Sequence, residues 1–505
     1  MGLPGGRNGS ISWIFVFTKN QGPNTESCDR FGHRHPQNSP KMKLFIEKII
    51  ASVWNRLRRQ VDGEWNPGEQ EKRLDLGFRV TDGQITKKHV MLGNIRRAQH
   101  TAALGKTGTG KSSLLKYLAM QDIQAGRGFA FFDLHGEMWP FLLATINAQE
   151  RRLKRHLHNK LIFINPADAE LSVGLNPLEM TGTPDFARIA EFADVIRRRC
   201  HLDSFGVRID ELLRNSLYVL AANGLTLIEL MPLLTRRGFR AACLQRVENA
   251  DIRDFFESRY DKASDAMQAA MREPVLNKTS AFTSDPRFRH IVGQKQSTFS
   301  IREAMDKGCW IVVNLAKGQL GDQALTLGSL VLTLFANALF SRELRTLYTL
   351  FCDEIQNLVA YESGVETMLS ESRKFAVAIV SANQYLDQYP PAMRSAILSV
   401  GTHAYFQLSS ADAGQIAQAL DGGRMLAEKL KNLHPRHCLV KSGADQLVEV
   451  RVPDVPAIAV DYTDLLNRAR YERGRVRAHV ERDIAKRQSE LFHDAKEVLN
   501  RHEFD

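Results

Sequence analysis

Gly105-Lys106-Thr107-Gly108-Thr109-Gly110-Lys111-Ser112 places glycines, a lysine and a hydroxyl in the spacing G-x-x-x-x-G-K-[ST]. Residues of these types in this order can hold a chain of phosphates. The glycines let backbone amides turn inward around an anion, and the helix that follows aims its free N–H groups at the same point. Lys111 would reach the β- and γ-phosphates, Ser112 would put its hydroxyl on Mg²⁺, and Gly105, Thr107, Gly108, Thr109, Gly110 and Ser113 would line the rest of the cradle. ATP with Mg²⁺ is therefore the expected substrate and cofactor. A second group of residues completes such chemistry. Leu347 to Cys352 is an apolar run that ends in Asp353-Glu354, the arrangement in which one carboxylate holds Mg²⁺ through its water shell and the next polarises the attacking water. Asp353 takes the metal role and Glu354 that of the base.

Two further polar residues could act on the same phosphates. Gln384, in Ser381-Ala382-Asn383-Gln384 at a strand end, could sense the γ-phosphate, or could be a plain strand-end residue. Arg373, in Glu371-Ser372-Arg373-Lys374-Phe375, could complete a neighbouring subunit's site as an arginine finger, or could face solvent. Asp133-Leu134-His135-Gly136-Glu137 also lies at a strand edge, where α/β folds place ligands. A polar turn is the equal alternative there.

These residues need a scaffold that delivers them to one edge. Thr101 to Leu104 reads as the strand entering the glycine loop, and the helix leaving it runs on through Leu114, Leu115 and Leu118. Phe129 to Phe132, Leu161 to Ile164, Trp310 to Asn314, Leu347 to Cys352, Ala376 to Val380 and His403 to Leu408 are short apolar runs of the kind found in buried parallel strands. Arg436 to Lys441 and Leu447 to Val452 read as a closing hairpin. The fold class is α/β. Between about 183 and 290 the pattern is helix upon helix, with Ile189, Phe192 and Ile196 and then Leu212, Leu213, Leu217 and Leu220 at helical spacing, so an all-α domain is inserted in the sheet.

The expected division is a disordered leader over 1–41 and a helical or linker segment over 42–95. The nucleotide-binding domain follows in two parts, 96–182 and 291–455, around the all-α insertion 183–290, and a helical tail fills 456–505. Residues 1–41 could also be an extension upstream of Met42. Lys43 to Arg59 reads as an amphipathic helix with a basic end, and the tail as an exposed helix or an oligomer contact.

A chain of 505 residues, 43% hydrophobic and 25% charged, is ordinary for a globular protein with a large core, which excludes disordered and fibrous classes. The net charge of +11 permits a polyanionic partner, with its basic clusters spread along the chain. Six scattered cysteines offer no C-x-x-C pair and fit a reduced, cytoplasmic setting. Leu325 to Phe340 is the longest apolar run; it holds Ser329 and Asn337 and falls short of the ~20 residues a bilayer needs, so it reads as a core helix.

The blocks GKTGTGKSS, FFDLHGE, FSIREAMDKGCWIVVNLAKGQLGD, LFCDEIQNL and SESRKFAVAIVSANQYLDQ resemble those of the HerA/FtsK superfamily of DNA-pumping ATPases. They are closest to the TraG/TraD-type coupling proteins of type IV secretion and their HerA-like relatives, over about residues 90–420. The resemblance implies a RecA-like P-loop NTPase sheet with an all-α insertion, assembled as a homo-hexameric ring that threads DNA through a central pore. It also implies that Lys111, Ser112, Asp353, Glu354, Arg373 and Gln384 take the family's roles. A secretion channel, a relaxase or a nuclease would be its partner, and the setting would be cytoplasmic or peripheral to the inner membrane. Two departures stand out: coupling proteins usually begin with transmembrane helices, which this sequence does not present, and residues 60–95 are short for the β-barrel with which HerA begins. A HerA-like translocase or helicase working with a nuclease, and an ATP-dependent switch that does not pump, are the alternatives.

Overall fold

The computed structural model describes residues 73–180, 182–202, 206–359 and 362–502. The expected leader and the expected helix Lys43 to Arg59 lie outside them. The strands in chain order are β1 (Leu74–Thr81), β2 (Gln84–Leu92), β3 (Thr101–Leu104), β4 (Phe129–Asp133), β5 (Leu161–Ile164), β6 (Leu171–Ser172), β7 (Trp310–Asn314), β8 (Tyr348–Asp353), β9 (Val377–Asn383), β10 (Thr402–Tyr405), β11 (His437–Ser442), β12 (Val448–Arg451) and β13 (Arg475–Val476).

Eleven of these form one sheet in the order β2-β1-β12-β11-β10-β3-β9-β8-β4-β7-β5. From β10 to β5 every neighbour runs parallel, while β11, β12, β1 and β2 add an antiparallel edge. The parallel strands are short apolar runs because both of their faces are covered. On one face Phe129, Phe131, Leu161, Phe163, Val312 and Phe351 pack with Leu114, Leu115 and Leu118 of the helix Lys111–Gln124. On the other, Phe132, Ile162, Ile311, Val313, Leu350 and Ile379 pack with the helix Gln323–Phe340 and with the inserted helices. Gln323–Phe340 is long and apolar enough to cross a membrane by length and composition, yet most of it is buried inside the protein. Its role here is that of a core helix.

Among the described residues from Phe186 to Val292 the insertion carries helices and no strand. Ile189, Phe192, Leu212 and Leu217 join the same buried cluster as the sheet face, so the insertion shares a core with the sheet instead of closing one of its own.

Two expectations are corrected. Most of the described part of 42–95 is strand, not helix: Leu74 to Leu92 is a β-hairpin whose turn residues, Asp82 and Gly83, have φ 51° and 76°, and a helix begins only at Asn94. Asp-Gly with both φ values positive is the favoured two-residue hairpin turn. The tail is not simply exposed either. The helix Thr463–Arg473 lies on the sheet side through Arg468–Glu150 and Arg470–Asp168, β13 pairs with β6, and Arg487 in the helix Arg477–His502 reaches Glu229 of the insertion. Its charges of both signs are used for docking. The five cysteines among the described residues are buried free thiols.

Candidate functional site

β3 is central because it lies between β9 and β10, and its loop is held from both sides. The amide of Gly105 donates to Asn383 O (3.1 Å) and that of Lys106 to Gln407 O (2.8 Å). Gly108 and Gly110 take φ values of 78° and 117°, which only glycine adopts readily. Thr109 closes the loop with its hydroxyl on Lys106 O (2.7 Å). Gly110 is also pressed from outside: Arg436 N donates to Thr109 O (2.7 Å), and a Cβ on Gly110 would lie 2.8 Å from Arg436 Cα.

The helix Lys111–Gln124 starts at Gly110 with no side chain capping its first turn. Its free amides point into the loop, as an anion site requires. Thr107 and Ser112 are exposed there, and Ser113 is half-buried. Lys111 is buried, its ammonium donating to Gly105 O (2.5 Å) and Lys106 O (2.9 Å). Burial lowers its pKa, while the carboxylates of Asp353 and Glu354 oppose the shift. The cradle, the inward lysine and the open hydroxyl fit a nucleotide triphosphate with Mg²⁺.

The carboxylates arrive on β8, which is separated from β3 only by β9. Burial pushes the Asp353 carboxyl up to about 6, with Glu354 and Asp133 acting in the same direction and His135 and Lys111 against it. A buried carboxylate beside another acid is relieved when it meets a cation, so Asp353 fits a metal role.

Glu354 sits in the left-handed region, at φ 54° and ψ 55°, a conformation that persists in a bulky residue only when its surroundings enforce it. They do. Its amide donates to Ala382 O (2.8 Å), Gln384 Nε2 donates to Oε1 (2.7 Å) and Asn357 Nδ2 donates to Oε2 (2.9 Å). β9 thus carries Gln384 to the gap between the glycine loop and the acid.

Lys111, Asp353, Glu354 and Gln384 are brought together beyond the C-terminal ends of the central strands β3, β9 and β8, and Arg373 is not. Arg373 lies in the turn Ser372–Phe375 that precedes β9, at the end of the strand away from its own loop, with its side chain exposed. Asp133 is committed to the turn: its carboxylate accepts from Gly136 N, Met138 N and Trp139 N, each at 2.8 Å, and caps the helix Trp139–Leu153. His135 and Glu137 beside it are exposed. Asn357 went unremarked in the sequence; its only signal is a polar residue three positions beyond Glu354.

A family model described as the type IV secretion-system coupling protein DNA-binding domain matches residues 88–433. No curated protein matches the chain. Among solved structures, the plasmid coupling protein TrwB in complex with the non-hydrolysable ATP analogue ADPNP is similar, with a TM-score of 0.56 and 18% identity over 77% of this chain and 97% of that one. TrwB in complex with ADP and Mg²⁺ gives 0.52 and 17%, over 76% and 96%. VirB4 of Thermoanaerobacter pseudethanolicus gives 0.50 and 17%, over 77% and 98%. At these identities the structures establish a common fold, the RecA-like P-loop sheet with its all-α domain. The family model spans well over half of the residues and includes the glycine loop, the acidic strand end and Gln384, so the chain belongs to the type IV secretion-system coupling proteins, within the FtsK/HerA-type P-loop ATPases.

Proposed function

We propose that this chain hydrolyses ATP to move DNA, as the motor of a conjugation or type IV secretion system, and that it works as a homo-hexamer. The observation that carries the reading is Glu354, held at both carboxylate oxygens beside Lys111 and Asp353. An acid that only folded the turn would not need to be strained and oriented toward a phosphate loop.

In this reading the amides from Gly105 to Ser113 receive the phosphates and Lys111 moves from the loop carbonyls onto the β- and γ-oxygens. Ser112 and Asp353 would hold Mg²⁺, which when bound supplies positive charge to the phosphates. Glu354 orients the attacking water and accepts its proton. Gln384, already on Glu354, is placed to respond when the γ-phosphate leaves. Arg373 would act on a neighbour's site, since it lies at the far end of β9 from its own.

DNA as the load is supported by the family and by a net charge of +11. Backbone-directed binding should tolerate any sequence and weaken steeply with salt. The test is steady-state turnover of the assembled protein at low salt, with and without DNA. Stimulation by DNA is expected; turnover indifferent to DNA would remove pumping and leave a switch or a protein-export motor.

A further inference from the structure

The turn that follows Glu354 is held by the all-α insertion. The helix Phe186–Arg199 ends with Arg199 directed at that turn: its Nη2 donates to Asn357 O (2.5 Å) and its Nε to Ser329 Oγ (2.8 Å). Ser329, buried in the helix Gln323–Phe340, donates in turn to Leu358 O (2.6 Å). Two successive carbonyls of the turn are thereby tied to helices outside it. Asn357 is bound to Glu354 twice, by its amide to the Glu354 carbonyl (2.9 Å) and by its side chain to Oε2 (2.9 Å). The approach is close, since a Cβ on Gly328 would lie 2.7 Å from both Leu315 Cδ1 and Leu358 Cδ2.

Arg199 is an unusual choice for a structural strut. Among the described residues it pairs with no carboxylate, its partners being a hydroxyl and a carbonyl, and burial pushes its pKa down to about 10. A partly buried cation without a counter-charge is unfavourable for folding. A neutral side chain could cap one carbonyl at less expense.

We propose that Arg199 is a positioning residue for hydrolysis: it holds Glu354 through Asn357, and so links load on the all-α insertion to the rate of turnover. This rests on the reading of Glu354 as the base. A displacement of the helix end Arg197–Arg199 is passed to Asn357 O and from there to a carboxylate already in a strained backbone. The insertion can thereby tune the acid without touching nucleotide.

The test uses the full chain with the variants Arg199→Ala, Arg199→Lys, Asn357→Ala and the double variant Arg199→Ala/Asn357→Ala, read as kcat and KM for ATP with and without DNA. Arg199→Ala should lower kcat about tenfold, within the range found for residues that couple sites, leave KM within about twofold and abolish stimulation by DNA. Arg199→Lys should recover part of kcat. The double variant should be no slower than Asn357→Ala alone, because the two act in series. Wild-type kcat in Arg199→Ala, or losses that multiply in the double variant, would overturn the proposal. If Arg199→Ala does not fold, Arg199→Lys and Ser329→Ala carry the same test: lowered kcat at unchanged KM and melting temperature supports the link, and unchanged kcat in both overturns it. Glu354→Gln separates the two readings. Full turnover in Glu354→Gln removes the base itself, whereas an inactive Glu354→Gln beside a fully active Arg199→Ala removes only the link.

Discussion

Gln384 Nε2 donates to Glu354 Oε1 across 2.7 Å, which joins the end of β9 to the end of β8. In the proposed mechanism Gln384 would therefore orient the acid. Replacing Gln384 by Ala should lower kcat by about ten- to a hundredfold, as loss of a positioned catalytic hydrogen bond does, with ATP binding little changed. Equal losses in binding and turnover would show a role in ground-state binding instead.

Glu354→Gln and Lys111→Ala should fail in different ways. The glutamine keeps the size and hydrogen-bonding reach of the acid but cannot accept the proton, so ATP should still bind while turnover falls by about 10²–10⁴-fold. Lys111→Ala removes the ammonium that contacts Gly105 O and Lys106 O, and nucleotide affinity itself should drop. Fluorescent-nucleotide binding and phosphate release, measured on both variants, check the split.

Arg373→Ala should bind nucleotide normally and hydrolyse it slowly, by about 10³-fold if the guanidinium acts as a finger. Mixing these chains with Glu354→Gln chains should restore some activity at interfaces that combine an intact acid with an intact arginine. No recovery at any mixing ratio, in assemblies verified to contain both chains, would sink the trans role.

His100 makes a prediction about pH. Its Nε2 faces Leu369 O (2.9 Å) and its Nδ1 accepts from Ile379 N (3.0 Å), so the ring is neutral and fixed as one tautomer. Burial, aided by the charge of Arg373, holds its pKa at about 4 against an ordinary 6.5. The unfolded chain takes up the proton first as pH falls. Stability from this residue is complete above about 6.5 and is lost progressively toward 4, a span worth about 3 kcal/mol. Denaturant midpoints of the wild type and His100→Gln should diverge between these pH values; parallel curves would show that His100 does not govern acid sensitivity.

The candidate site was legible wherever it is local in sequence. The glycine loop and the Asp353-Glu354 strand end stand out because each is a run of consecutive residues, and the apolar runs of β3, β4, β5, β7 and β8 follow from burial on both faces. The hairpin β1–β2 carried a readable Asp82-Gly83 turn, but its strands are half exposed and lack the continuous apolar signature of the others. What the sequence could not disclose is non-local. That β9 lies between β3 and β8, and that Arg199 reaches a turn 158 residues away, depends on pairings and contacts between segments whose own residues do not name their partners.

The position of Arg373 has a consequence for assembly. Arg373 precedes β9, and the glycine loop lies beside the far end of that seven-residue strand, where Gly105 N meets Asn383 O, roughly 20 Å away at the rise of a β-strand. A two-fold dimer could serve both sites only if arginine and loop lay within one self-complementary patch wide enough to span that distance. A head-to-tail contact instead lets each copy give on one side and receive on the other, and such a contact closes into a ring or runs on as a filament. In an open chain of copies the terminal loop has no donor, so competent sites number one fewer than subunits; closing the ring recovers the missing one. With Arg373 acting in this way, specific activity becomes a measure of closure and should climb with protein concentration more steeply than nucleotide binding does.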